Sequence, residues 1–271
     1  MIRGKIFLSC DIEGTCGIID WNETEQGKQD YELFRQQMTR EVSAACEGAL
    51  AGGAEQLLVR DAHDSARNIL PSQLPDSDRI RLLRGWCRDP YSMMAGLQEG
   101  GFAGAMFTGY HSCVGWDGNP LSHTMNTQNV SVRVNGEDAP ELMINSLTAS
   151  MLGVPVLMLS GDEMLCEFLH RKVPAAVTVP VSHGIGNGSI SLMPGEAVRR
   201  IRRAAEEAMS LDPAACMYPM SERYEVEVMY RLHQSARRAL WYPGAQQLDS
   251  RTVRYTCTNW MDVLTFFHFC L

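Results

Sequence analysis

Short apolar runs recur along the chain, each followed by glycine or polar residues: KIFLSC (5–10), EQLLVR (55–60), AGAMFTGY (103–110), VPVLMLS (154–160) and AAVTVPV (175–181). Their lengths and their polar punctuation suit buried strands. Between them the apolar spacing lengthens. The stretch DYELFRQQMTREVSAACEGALAGG sets Leu33, Met38, Val42, Ala45 and Ala49 at roughly helical intervals and stops on Gly52 and Gly53. Helices are likewise expected over DPYSMMAGLQEGG, ELMINSLTASMLG, DEMLCEFLHRK and PGEAVRRIRRAAEEAM. Strands alternating with helices predict an α/β fold, a mostly parallel sheet flanked by helices on both faces.

Two regions depart from that rhythm. NVSVRVNGEDAP alternates Val130, Val132 and Val134 and then reaches Asn135-Gly136, a signal for a hairpin or strand-end turn. Beyond residue 224, the strands YEVEVMY and TVRYTCT are interspersed with the helices SARRAL and WMDVLTFFHF. This predicts a smaller C-terminal α+β part, residues 201–271, packed on a larger α/β part, residues 1–200, with the two either separate or one domain. No low-complexity tract or internal repeat marks the boundary.

The 271 residues are 45% hydrophobic, enough for a substantial core, and carry a formal charge of −8. The basic clusters are RRIRR (199–203), which runs on into Glu206 and Glu207 as the solvated side of a helix would, and ARR (236–238). Nucleic acid is therefore not an expected partner. Nine scattered cysteines without a C-x-x-C signal neither a disulfide framework nor a zinc ribbon. The apolar run IFL near the start is too short for a signal peptide, and no stretch has the length of a membrane span. A reduced, cytoplasmic protein without membrane association is the expectation.

The candidate chemistry lies just past the strands. The first ends in Asp11-x-Glu13, the second in Asp61-x-His63 and the third in His111. In an open α/β sheet, ligands bind beyond the carboxyl ends of the strands. Residues two apart in extended chain share a face, so each pair can converge on one point. Taken singly, each Asp can be a turn former or helix N-cap, and each His a satisfied histidine. Together they favour a cation, because adjacent carboxylates at the end of a buried strand repel unless neutralised. Carboxylate with imidazole suits zinc, and a bridging carboxylate suits a pair of divalent ions. No contiguous H-E-x-x-H cassette decides between the metal and the turn readings. Further on, Glu141 follows Pro140 in the first turn of a predicted helix, where a carboxylate also complements the helix dipole. His123 lies in a polar loop and is a candidate acid or base.

The series D-x-E-G-x-x-G from Asp11, D-x-H from Asp61, G-Y-H from Gly109, S-H-x-M from Ser122 and E-L-x-x-N from Glu141, with GVPVLMLSGD after it, resembles the D-aminopeptidases of the dipeptide-transport operon type. The order and spacing match as far as about residue 185. The resemblance implies a zinc metallopeptidase with two Zn2+ ions in each subunit, hydrolysing short peptides that have a free N-terminus, D-residues among them. Asp11 would bridge the ions, Glu13 and His63 would complete one site, His111 and Glu141 the other, and His123 would be the catalytic histidine. The ions would acidify a water to hydroxide near neutral pH. The family also implies ring-shaped homo-oligomers with internal active sites.

Two readings stand beside this one: a metal-dependent amidase acting on a non-peptide amide, and a non-catalytic zinc-binding ring protein. The run Gly184, Gly186, Gly188 departs from the family pattern; it does not lead at once into a helix, so a dinucleotide cradle is a poor reading and a flexible loop on the substrate side the better one. Cys113, two residues past His111, is expected to be a buried thiol rather than a ligand.

Overall fold

The computed structural model describes residues 2–271. In chain order its strands are β1 (Gly4–Cys10), β2 (Ala54–Asp61), β3 (Ile80–Leu83), β4 (Phe102–Tyr110), β5 (Asn129–Val134), β6 (Glu137–Asp138), β7 (Val156–Asp162), β8 (Val177–Ile185), β9 (Gly188–Ser191), β10 (Tyr224–Tyr230), β11 (Gln246–Gln247) and β12 (Thr252–Cys257). Its helices are α1 (Tyr31–Ala51), α2 (Glu141–Met151), α3 (Glu163–Lys172), α4 (Pro194–Ala208), α5 (His233–Ala239) and α6 (Trp260–Cys270).

The main sheet has the order β3-β2-β1-β4-β7-β8-β9 and is parallel except for its last strand, β9. Continuous apolar runs go to its centre: Ile6, Phe7 and Leu8 of β1, Met106 and Phe107 of β4, and the whole of β7 are buried, as strands covered on both faces require. α1 buries Tyr31, Met38, Val42, Ala45 and Ala49 and lies against α4. Leu33, expected on that face, is exposed, and Tyr31 occupies it instead.

A second, antiparallel sheet has the order β11-β12-β10-β5-β6. In β10 burial alternates residue by residue. β5 and β6 join through Asn135 (φ 52°) and Gly136 (φ 78°), both left-handed as a two-residue hairpin turn demands. In β5 only Val132 and Val134 of the alternating valines face inward; Val130 is 39% exposed. The β5–β10 register shifts between Met229 and Tyr230, and a one-residue slip turns the side chains beyond it to the other face.

Residue 200 falls inside α4, which packs on α1, and the second sheet takes β5 and β6 from residues 129–138. Two further expectations change. The helix expected over DPYSMMAGLQEGG is instead two 3-10 turns, Ser92–Met94 and Leu97–Glu99. Left-handed backbone at Ser92 (φ 51°) and Gly96 (φ 100°) interrupts any longer helix. Lastly, the glycine-rich run is a paired β8–β9 hairpin, with Ile185 opposite Gly188 and Gly186 (φ 56°) in its turn, not an open loop.

A buried carboxylate ties α1 to the chain leaving β1. Glu41, 1% exposed, accepts hydrogen bonds from the Cys16 amide at 3.1 Å and from Gln37 Nε2 at 2.9 Å. Burial, only partly offset by those bonds, pushes its pKa up from 4.5 to about 7. Between those values the folded protein keeps a proton that the unfolded chain has lost, so stability falls as pH rises through that window. Glu41→Gln should remove this slope. Thermal or urea melts should favour the variant by up to about 3 kcal/mol more at pH 7.5 than at pH 4.5.

Candidate metal centre

β1 is the strand at which the chain order of the main sheet reverses, with β2 on one side and β4 on the other. Crevices outside the carboxyl ends of the strands form at such a switch point. The chain leaving β1 is drawn close to that leaving β4: the Asp11 amide donates to Thr108 O at 2.9 Å, and the Gly14 amide to Gly109 O at 2.8 Å. This approach requires glycine at two positions. A Cβ at Gly14 would lie 1.8 Å from Tyr110 O, and one at Gly109, where φ is +68°, 2.2 Å from Asp11 O.

Asp11, Glu13, His63, His111 and Glu141 converge here, all at least nine-tenths buried. His63 Nδ1 lies 3.2 Å from Asp11 Oδ1 and 3.1 Å from Glu13 Oε2. His111 Nε2 lies 3.6 Å from Asp11 Oδ2 and 3.8 Å from Glu141 Oε2. The two oxygens of Asp11 thus face different imidazoles. Asp11, Glu13 and His63 form one group able to hold a metal ion, and Asp11, His111 and Glu141 another, with candidate ligand atoms within 4.8 Å of one another in each. Glu13, His111 and His123 form a third such group. His123 is the least enclosed of the six, and its Nε2 lies 3.9 Å from Glu13 and 3.7 Å from Glu141.

The second nitrogen of each imidazole is held by a backbone carbonyl: His63 Nε2 donates to Thr24 O at 2.9 Å, His111 Nδ1 to Ser112 O at 2.8 Å and His123 Nδ1 to Leu121 O at 2.9 Å. Each ring therefore turns its other nitrogen toward the carboxylates, as metal-binding histidines do. Asp162, which caps α3, also accepts from the amide and the hydroxyl of Ser112, both at 2.6 Å, and so fixes the segment after His111. Asn119 holds the Glu13 carbonyl, and the Met125 amide donates to Glu141 Oε1 at 2.6 Å. Asp61 does not join the cluster. Its carboxylate accepts from the amides of Asn68 and Ile69 and from the Asn68 side chain, closing the turn that carries His63. Cys113 is buried and lies outside all three groups; burial pushes its thiol pKa far up.

The electrostatics ask for positive charge. Burial, and then the neighbouring Glu13, push the Asp11 carboxyl well above the usual carboxylate range. Burial acts on Glu13 too, but the His63, His111 and His123 imidazoles outweigh it and hold that group well below the range. His111 is lifted to about 9, because Glu141, Glu13 and Asp11 overcome its burial. His123 moves the other way: burial and the adjacent His111 lower it, keeping the ring neutral. The His111 and His123 rings stack at 4.4 Å, and Trp21 meets His123 edge-on at 5.3 Å. Among the described residues, Glu13 Oε2 and His111 Nε2 are buried without a hydrogen-bond partner. Orphaned acceptors in a cluster of opposed oxygen and nitrogen donors fit a divalent cation, which satisfies them without protons.

The cluster opens into a cleft of about 370 Å³, which Trp21, Trp86 and Met93 also line, together with two further carboxylates, Glu25 and Asp64. The glycine-rich hairpin does not line it. The family model for D-aminopeptidase matches residues 4–269. The chain belongs to the D-aminopeptidase family. It is accordingly an aminopeptidase, a hydrolase of peptide bonds. A D-aminopeptidase of Bacillus subtilis (strain 168) is 27% identical over 261 residues, covering 95% of this chain and 93% of the relative. The solved structure of the Zn-dependent D-aminopeptidase DppA from Bacillus subtilis, described as a self-compartmentalizing protease, superposes with a TM-score of 0.86 at 26% identity, covering 97% of this chain and 95% of that one. The likeness thus runs through the C-terminal part, where no motif announced it.

Titration of the metal-stripped protein with zinc should raise its melting temperature, and chelator should reverse the gain. At 1,000 times the dissociation constant the added stability is roughly 4 kcal/mol. Melting that does not respond to zinc would count against a metal centre.

Proposed function

We propose that this D-aminopeptidase family member is a dinuclear zinc enzyme that removes N-terminal residues, D-residues among them, from short peptides with a free amino end. The observation that carries the two-metal reading is the position of Asp11, one oxygen beside His63 and the other beside His111. Asp11 would serve both sites, with Glu13 and His63 completing one and His111 and Glu141 the other. Zinc in these sites supplies Lewis acidity, which polarises the scissile carbonyl and lowers the pKa of the attacking water.

His123 carries the proton. Its Nδ1–H is committed to Leu121 O, so in the neutral ring Nε2 holds the lone pair. That nitrogen takes a proton from the attacking water and then passes it to the leaving amine as the peptide C–N bond breaks. Partial exposure at the cleft leaves it within reach of substrate, while the stacked His111 ring and Trp21 fix its plane. Glu25 and Asp64 make the cleft acidic beyond its metal ligands, which favours the ammonium of a free N-terminus and disfavours N-blocked amides.

Assembly as a ring of like subunits is part of this reading. It is supported by the self-compartmentalizing structural relative and by exposed apolar side chains at the edge of the main sheet, among them Ile185 (57%), Ile190 (65%) and Met193 (72%). A cytoplasmic setting accords with nine free cysteines. No helix among the described residues is long and apolar enough to cross a membrane.

Metal analysis with kinetics tests the assignments. Asp11→Ala should lose both ions, Glu13→Ala one, and all hydrolysis should be sensitive to chelator. His123→Ala should keep its zinc and lose turnover by roughly 10²- to 10⁴-fold; loss of zinc would instead make His123 a ligand with Glu13 and His111. Hydrolysis of N-blocked amides in preference to free dipeptides would favour the amidase reading, and zinc binding without any hydrolysis the non-catalytic one.

A further inference from the structure

A second cavity, of about 260 Å³, lies beside the acidic cleft, and Met125 and Asn126 line both. Three parts of the fold build it: the turn at Pro90–Ser92, the first turns of α2 at Ile144 and Asn145, and the inner face of α6 at Leu264 and Phe267. Its character is opposite to that of the cleft. No Asp, Glu, Lys or Arg side chain lines it, and its titratable side chains are Tyr91 and His268. The two asparagine amides are already committed: Asn145 Nδ2 donates to Tyr110 OH at 2.9 Å and faces Met93 Sδ at 3.3 Å, and Asn126 Nδ2 donates to Leu271 O at 3.2 Å. Around them Met125, Ile144, Leu264 and Phe267 give the cavity mostly carbon surface, with the Tyr91 and Ser92 hydroxyls and the His268 ring as its other polar groups, so it suits a large uncharged side chain better than a charged one.

The wall is held in costly backbone. Met125 (φ 64°) and Ser92 (φ 51°) both line the cavity, and both are non-glycine residues in the left-handed region. Such conformations persist where the surroundings over-determine them, and they concentrate at ligand sites. Met125 is also the residue whose amide holds Glu141 Oε1. One residue therefore touches both the candidate metal centre and the apolar cavity.

We propose that this cavity is the specificity pocket of the enzyme, taking a bulky apolar side chain, aromatic or branched aliphatic, of the substrate's N-terminal residue while the acidic cleft holds its amino group. The assignment rests on the aminopeptidase reading but is tested apart from turnover. D-Phenylalaninol and D-alaninol carry the free amine and the side chain without a scissile bond, and their binding to the zinc-loaded protein can be measured by calorimetry. The wild type should bind D-phenylalaninol at least tenfold more tightly. Leu264→Trp, which fills the cavity, should erase that preference, and Phe267→Ala, which enlarges it, should shift the preference toward still larger side chains. Each preference is a ratio within one protein sample, so a fall in the folded fraction cancels. Equal binding of the two amino alcohols by the wild type, or the same ratio in all three proteins, would overturn the pocket. Hydrolysis of D-Phe-Gly and D-Ala-Gly in parallel reads the aminopeptidase reading separately: binding selectivity without cleavage would sink that reading and leave the pocket standing.

Discussion

Three carboxylates, Asp11, Glu13 and Glu141, are buried within reach of one another at the switch point of a parallel sheet. Water cannot screen them there, and like charges so close cannot all stay ionised without compensation. Three imidazoles face them, and their second nitrogens are tied to backbone carbonyls. Burial and then Glu13 push the Asp11 pKa up, and the facing carboxylates, outweighing burial, push those of His63 and His111 up; divalent ions would meet the same charge without protons and leave the rings neutral.

Much of the surrounding structure reads as support for that cluster. Gly14 and Gly109 let the chains leaving β1 and β4 touch. Asp61 spends its carboxylate on the turn that presents His63, and Asp162 does the same for the segment after His111 while capping α3. Glu41 anchors the far end of the β1 loop to α1. These groups touch no candidate ligand atom, yet the precision of the ligand geometry rests on them.

The second sheet and α6 extend the site outward from the candidate metal centre. β5 and β6 come from the middle of the chain and join β10 and β12 from its end. α6 then reaches back over α2, one turn beyond Glu141, to close the apolar cavity. The acidic cleft and the second cavity meet at Met125 and Asn126, and the Met125 amide also holds Glu141.

The alternation of apolar runs and helical spacing already contained five of the seven strands of the main sheet, all but the edge strands β3 and β9, because strands covered on both faces must be apolar throughout. The same reading marked Asp11, Glu13, His63 and His111, since polar residues just past buried strands stand out against that background; the loop residue His123 and the helix residue Glu141 took their roles from the family resemblance. Other features could not be read locally. Asp61 and His63 look alike in sequence, yet only the turn through Asn68 turns one carboxylate inward to the backbone and the imidazole toward Asp11. Val130, 39% exposed, is the unpaired extra residue where β5 and β10 shift register. The segment 90–99 has helical composition, but tertiary packing holds Ser92 and Gly96 in left-handed backbone and opens a cavity where a helix was expected. Periodicity reports what a residue's own segment buries; which oxygen faces which nitrogen depends on segments far apart in the chain, and that was decided only when the sheet assembled.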